Sequence, residues 1–153
     1  MDDQLRKQKL TTMSQSFIQP YLFFGGRCEE ALEFYKSTIG AQVEMLMHYS
    51  DSPEPPPPGM LPAGYESKVM HTSFRVGSTV IMASDGCGED DRFGGFALSL
   101  GVATEAEADQ YFKALAEGGE ITMPLGKTFW SPRFGMLTDR FGMSWMISTA
   151  PAS

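Results

Sequence analysis

A chain of 153 residues with 42% hydrophobic content is long enough to bury one core without disulfides or structural metal, so a single domain is expected. Nineteen acidic residues against 12 basic ones leave a net charge of −7, which gives no footprint for a phosphate backbone and argues against nucleic acid and anionic membranes as partners. No run approaches the ~18 apolar residues of a membrane span, and no apolar signal core follows the start, so Cys28 and Cys87 read as free thiols of a cytoplasmic protein.

Residues 1–16 are expected to form a flexible tail, with Met13 as a candidate natural start. Residues 17–24 are an apolar run closed by Gly25-Gly26, the pattern of a strand buried on both faces. A helix follows. Cys28, Ala31, Leu32 and Tyr35 share one helical face, Glu29 and Glu30 suit the positive end of its dipole, and Gly40 supplies the stop. Strands are predicted over 42–49 and 68–76, the latter turning through Gly77-Ser78 into a strand over 79–84. Between them, Ser52-Pro53-Glu54-Pro55-Pro56-Pro57-Pro58-Gly59 cannot donate a sheet ladder. It is expected to be an exposed polyproline loop, with a lid as the alternative reading.

The second half repeats the first. Glu30-Ala31-Leu32-Glu33-Phe34-Tyr35-Lys36 aligns with Glu107-Ala108-Asp109-Gln110-Tyr111-Phe112-Lys113 at an offset of 77. A strand over 95–100 leads to a helix opened by Thr104 with Glu107 three residues on, a capping pattern, and striped by Ala108, Tyr111, Phe112 and Leu115. Gly118-Gly119 ends it, and strands over 120–125, 134–138 and 143–147 follow, the last two joined by Asp139-Arg140-Phe141-Gly142. The reading is an α+β fold of two tandem βαβββ modules over 17–84 and 93–149, a linker at 85–92 and a tail at 150–153.

This order, with a short Asp-x-x-Gly hairpin before the final strand, resembles the vicinal-oxygen-chelate (glyoxalase/bleomycin-resistance) superfamily. Within it the chain is similar to the PhnB-like branch. That likeness rests on Pro20-Tyr21-Leu22-Phe23-Phe24, on Glu30-Ala31 before Phe34-Tyr35, and on Thr128-Phe129-Trp130 leading through Phe134-Gly135 and Asp139 to Phe141-Gly142 and Trp145. The resemblance implies a cupped mixed sheet with helices on its outer face, a ligand site in the cup, and a homodimer. Similar proteins have often carried a methyltransferase label, but no strand here leads into G-x-G-x-x-G.

In glyoxalase-type relatives a divalent ion is held by His, Gln or Glu on the first and last strands of each module. The resemblance places those positions on Pro20, Met82, Gly95 and Met146, with Gln19 one register away. None of the four offers imidazole or carboxylate. The only histidines, His48 and His71, lie on adjacent predicted strands without metal-ligand spacing. No cofactor is therefore expected, and a divalent metal is the less favoured alternative.

The candidate ligand contacts are Phe24, Met82, Ser84, Ser99, Phe129, Trp130, Arg133 and Met146. Methionines, hydroxyls and small residues suit a planar or apolar molecule with a few polar handles, although both methionines equally suit a filled core. Trp130 is placed at the rim, where an indole can stack on a ligand, and Arg133 near the mouth, where it can receive a carboxylate or phosphonate. Trp145 has the opposite parity and is expected beneath the second helix. His71 is the candidate general base, with a structural role as the alternative. The function expected is metal-free binding of a small molecule. The alternatives are a metal-dependent glyoxalase-like lyase, isomerase or transferase acting on a small carbonyl or phosphonate compound, and a non-catalytic structural partner.

Overall fold

The computed structural model describes residues 16–150 except 55 and 89–91. Residues 1–15 and 151–153 of the expected tails, and the middle of the expected linker, lie outside the described residues. The chain runs β1 (Tyr21–Phe23), α1 (Cys28–Ile39), β2 (Gln42–His48), β3 (Val69–Val76), β4 (Thr79–Ser84), β5 (Leu98–Val102), α2 (Glu105–Ala116), β6 (Glu120–Gly126), β7 (Phe134–Thr138) and β8 (Ser144–Thr149). Short 3-10 turns occupy Tyr49–Asp51 and Tyr65–Ser67. The βαβββ order thus occurs twice.

Each module makes its own four-stranded mixed sheet, ordered β1-β4-β3-β2 and β5-β8-β7-β6. The first strand of each module runs parallel to the last, and the remaining pairs are antiparallel. A parallel pair needs a long crossover, which the helix and the following strands provide. The registers correspond. Tyr21 faces Met82 and Phe23 faces Ser84 in the first sheet, while Ser99 faces Met146 and Gly101 faces Ser148 in the second.

Both helices bury the predicted stripe. Cys28, Ala31, Leu32 and Tyr35 are buried on α1, as are Ala108, Phe112 and Leu115 on α2. Thr104 caps α2 by accepting from the Glu107 amide at 3.1 Å. The start of α1 is capped from a distance instead, because Arg27 supplies no side-chain cap. Asp85 Oδ1 accepts from the Gly26 and Cys28 amides at 2.9 and 2.8 Å, and its Oδ2 accepts from Val69 at 2.7 Å. A residue expected at the start of a linker is therefore a buried carboxylate that satisfies three backbone donors of the first module. Burial, and then the Asp85 charge, push the Cys28 thiol up, so it is an inert packing group.

One hydrophobic cluster spans both modules and takes Leu22, Phe74 and Ile81 from the first sheet, Leu137, Trp145 and Ile147 from the second, and the inner faces of both helices. Tyr35 sits at its centre, 6.1 Å from the Phe74 ring and 5.6 Å from Trp145. Trp145 is core as expected, but its indole meets a ring of α1, the helix of the other module.

Two strand expectations need correction. The first strand is neither eight residues long nor buried on both faces: only Tyr21–Phe23 pair, Leu22 points inward, and Tyr21 and Phe23 are 37% and 47% exposed. The apolar run reflects a ring-bearing open face, which composition alone cannot tell from a buried one. The first strand of the second module starts at Leu98, beyond Gly95, whose φ of 76° is incompatible with extended pairing.

Candidate functional site

Alternation along the strands leaves one face of each sheet to the core and one open. On the open face of the second sheet, a row crosses from Ser99 through Met146 and Met136 to Met123, with Gly101, Ser148 and Phe134 in the next row. A cavity of about 490 Å³ lies here, lined by Ser99, Gly101, Trp130, Ser131, Phe134 and Ser148 together with the strand ends around Thr149.

The loop after β6 holds the wall of this cavity. Ser131 is buried, and its Oγ donates toward the carbonyl oxygens of Arg133 and Thr149, each 2.6 Å away. Thr128 N–H donates to the Ser131 carbonyl at 2.9 Å and closes the loop on itself. Trp130 is thereby set edge-on to Phe134 at 5.3 Å, and Phe129, 97% exposed, stacks edge-on to Trp130 at 4.7 Å.

The corresponding face of the first sheet is filled. Its row runs Tyr21, Met82, Ser73, Met45, so aromatic rings of β1 stand where the second module has Ser99 and Gly101. Tyr21 and Phe23 lie 5.1 Å apart, and Tyr21 Oη is 3.0 Å from His71 Nδ1. At the sheet's far edge Arg75 pairs with Glu44 at 2.7 Å. His48 bridges Glu29 at the start of α1 and Asp51 after β2, and the hydrogen bond to Glu29, followed by that to Asp51, raises its pKa.

The candidate residues thus divide between two faces. Ser99, Met146, Trp130 and Phe129 belong to the second module, whereas Met82, Ser84 and His71 lie on the first. Phe24 is apart from both, buried against Tyr35, Phe93 and Phe141 in the core. Arg133 turns away from the open face toward α2, with Nε 3.3 Å from Asp109 and 3.7 Å from Glu105, though not aligned for a hydrogen bond. Ser148 shares the face of Met146, as alternation along the last strand predicts, and Tyr21, Gly101 and Phe134 also stand on the open faces, where sequence reasoning does not single them out. Their parity with Ser99, Met146 and Met82 is the available signal, and it is obscured when both first strands are started too early.

A family model described as 3-demethylubiquinone-9 3-methyltransferase matches residues 16–148 of this architecture. The chain belongs to this PhnB-like family. Protein YjdN of Escherichia coli is 35% identical over 140 residues, covering 86% of this chain and 93% of the relative. The crystal structure of PA1353 from Pseudomonas aeruginosa superposes with a TM-score of 0.78 at 43% identity, covering 89% of this chain and 98% of that one. The PhnB protein of Bacillus cereus gives 0.74 at 30% identity, covering 88% and 100%. The fosfomycin resistance protein FosX of Mesorhizobium loti, at 11% identity, 88% and 90% coverage and a TM-score of 0.57, shares the fold alone. These neighbours place the PhnB-like chain on the glyoxalase-type fold, and the family's name does not fix its activity.

The metal position of glyoxalase-type proteins can be tested on this PhnB-like chain residue by residue. The open-face positions of first and last strands are Tyr21 and Phe23, Met82 and Ser84, Ser99 and Gly101, and Met146 and Ser148. Two of the positions expected from the sequence, Pro20 and Gly95, are out of register. The corrected set still holds no imidazole and no carboxylate, so the donors do not fit a divalent ion. Among the described residues, no three His, Cys, Asp or Glu side chains converge. No helix of the described residues is long and apolar enough to cross a membrane.

Proposed function

We propose that this PhnB-like protein is a metal-free, cytoplasmic small-molecule-binding protein that holds a planar, largely apolar ligand on the open face of its second module. The observation that carries this reading is the contrast between the two sheets. Where the first module places Tyr21 and Phe23, the second places Ser99 and Gly101, and a cavity of about 490 Å³ takes the space. That volume falls within the range of small-molecule sites, and its lining has the expected character of apolar walls with few polar groups. Trp130 and Phe134 offer ring surfaces, Ser99 and Ser148 hydroxyls that orient a polar edge, and Met146 lies beside them in the neighbouring row of the same face. Nucleic acid remains an unsuitable partner for a chain of net charge −7.

Both open faces carry exposed apolar side chains, among them Phe23 and Met45 on one and Met123 and Trp130 on the other. We read them as surfaces that close in a homodimer, so the ligand is further shielded in the assembly. Light scattering on the purified protein tests that part.

The decisive test combines elemental analysis, thermal unfolding with divalent ions, and titration with the neutral planar dye N-phenylnaphthylamine. The expected result is no stoichiometric metal, no saturable thermal shift with metal, and dye binding that perturbs Trp130 fluorescence. A bound stoichiometric ion that raises the melting temperature would overturn the proposal in favour of a metal-dependent lyase, isomerase or transferase. Absence of saturable dye binding would point to a structural partner.

A further inference from the structure

We propose that the junction between the two modules is a second ligand site, a pocket in which Arg27 and Arg140 receive the oxyanion of a small carboxylate or phosphoryl compound carrying an apolar group. The pocket measures about 260 Å³ and is lined chiefly by Phe24, Arg27, Arg92, Phe93, Arg140 and Phe141. Among the described residues no acidic side chain lines it, although acidic residues outnumber basic ones 19 to 12 in the chain.

Both guanidinium groups are held in place by aromatic rings, Arg140 by one further edge and Arg27 through all three of its nitrogens. Arg27 lies 4.5 Å above the Phe141 ring, and Arg140 lies 4.3 Å above Phe34. Glu30 takes the Nε and Nη2 of Arg27, whose Nη1 donates to the Arg140 carbonyl at 3.2 Å. Arg140 gives Nε and Nη2 to the Glu117 carbonyl at 3.2 and 3.0 Å. A guanidinium carries five N–H donors in a rigid fork. On Arg140, Nη1 bonds to no group among the described residues, and each terminal nitrogen of Arg27 keeps a second N–H. These pre-oriented donors suit a planar carboxylate or a phosphoryl group.

Among the described residues that line the pocket, the charged side chains are all basic. Glu30 is held below the usual carboxylate range, first by its hydrogen bond to Arg27 and then by the charges of Arg27, Arg140 and Lys68. Among the described residues, the Arg140 side chain has only the Glu117 carbonyl as its acceptor and no carboxylate partner, so an incoming anion supplies it a counter-charge. The apolar walls define the rest of the ligand: Phe24 meets Phe93 and Phe141 edge-on at 5.4 and 6.1 Å, leaving ring edges and faces for an aryl or short alkyl group. The site draws on Phe24 and Arg27 of the first module and on Phe93, Arg140 and Phe141 of the second, so its occupant bridges the two halves. It is independent of the cavity beside Trp130.

The test is a titration of the full chain with benzoate, followed by NMR shifts of the arginine Nε–H groups and the Gly25 and Gly142 amides, with benzamide as the neutral match and inorganic phosphate as the bare anion. The expected result is saturable benzoate binding that weakens with salt, with benzamide bound about tenfold more weakly or worse. Phosphate is expected to shift the same signals. Arg140→Gln should lower benzoate affinity about tenfold, whereas Arg75→Gln, at the paired edge of the first sheet, should leave it unchanged. Equal binding of benzoate and benzamide, shifts confined to the Trp130 region, or no saturation by either anion would overturn the proposal. The comparison of benzoate with benzamide uses the unaltered protein, so it discriminates even if Arg140→Gln disturbs the fold.

Discussion

Tyr35 of α1 donates a 2.6 Å hydrogen bond to Asp139 Oδ2 and so ties the helix of the first module to the β7–β8 turn of the second, 104 residues away. Asp139 is a buried acceptor of four donors: the Trp145 indole reaches Oδ2 at 2.8 Å, and the Phe141 and Met143 amides reach Oδ1 at 2.9 and 3.1 Å. Burial, reinforced by the Asp139 charge, holds the Tyr35 phenol well above its ordinary pKa, so it remains a donor. Tyr35→Phe removes one charge-assisted bond and leaves three, and should cost about 2 kcal/mol. Asp139→Asn turns an amide N–H₂ toward N–H or O–H donors and should cost about 3 kcal/mol or more. Urea unfolding at constant m-value measures both. Losses of about 0.5 kcal/mol or less for each would show that the modules are held by apolar packing alone.

Two glycines are small because backbone or core passes close by. A Cβ at Gly119 would stand 2.2 Å from the Thr138 carbonyl oxygen and 2.9 Å from Asp139 backbone atoms, which cannot swing aside. At Gly135 it would meet Phe112 Cε2 at 2.7 Å and Leu125 Cα at 2.9 Å. Gly119→Ala and Gly135→Ala should therefore each destabilise by about 1–3 kcal/mol, the first at the upper end or beyond. Gly126→Ala, with nothing within 4 Å of the new carbon, is the control and should stay within about 0.5 kcal/mol in thermal unfolding.

The architecture is legible because helix stripes, glycine stops and the internal repeat are local signals, and these set β2 through β4, β6 and β7 almost to the residue. The first strands are less legible. Residues 17–20 precede β1 and invite too early a start, which moves the face assignment there from Tyr21 to Pro20 by one position; the loop glycines 94 and 95 precede β5 and misplace its start, but Ser99 keeps its face. Asp85 resembles linker in the sequence because its three backbone partners, Gly26, Cys28 and Val69, come from distant stretches of chain. The acidic side chains of α2 that draw Arg133 away from the cavity mouth are equally invisible to spacing.

His48 gives the fold a pH dependence whose sign follows from its neighbours. Its pKa is raised by hydrogen bonds to Glu29 and Asp51, while Asp51 is held below its usual value by the His48 backbone and ring. The histidine contribution is fully present below the ordinary value of 6.5 and is lost as pH rises through the elevated folded pKa. The Asp51 contribution is present above its ordinary value of 3.8 and is lost as pH falls through its depressed folded pKa. The clasp between α1 and the end of β2 should thus be strongest in mildly acid solution. His48→Gln should flatten the loss of stability seen on passing through neutral pH, and NMR titration of the His48 ring should show a midpoint above that of an unstructured peptide. A midpoint at or below the peptide value would refute the clasp.

The pocket beside Trp130 depends on what β5 lacks. A Cβ on Gly101 would touch nothing within 4 Å, and the backbone there is ordinary strand rather than left-handed, so a side chain can branch from it without backbone strain. Gly101→Phe restores on the second module the ring that Phe23 provides on the first, opposite Ser148 in place of Ser84. Replacing a strand glycine with an aromatic residue favours the sheet, so stability should hold or rise by up to about 1 kcal/mol. Dye binding should fall about tenfold or more as the ring occupies the cavity. Trp130 is 46% exposed and Trp145 only 3%, so acrylamide quenching isolates the reporter at the site. Bound dye should protect Trp130 in the unaltered protein and not in Gly101→Phe. If dye affinity is unchanged in that variant while its fold is intact, the ligand face is not the one built from Ser99, Ser148 and Trp130, and the filled face around Tyr21 and His71 becomes the place to search.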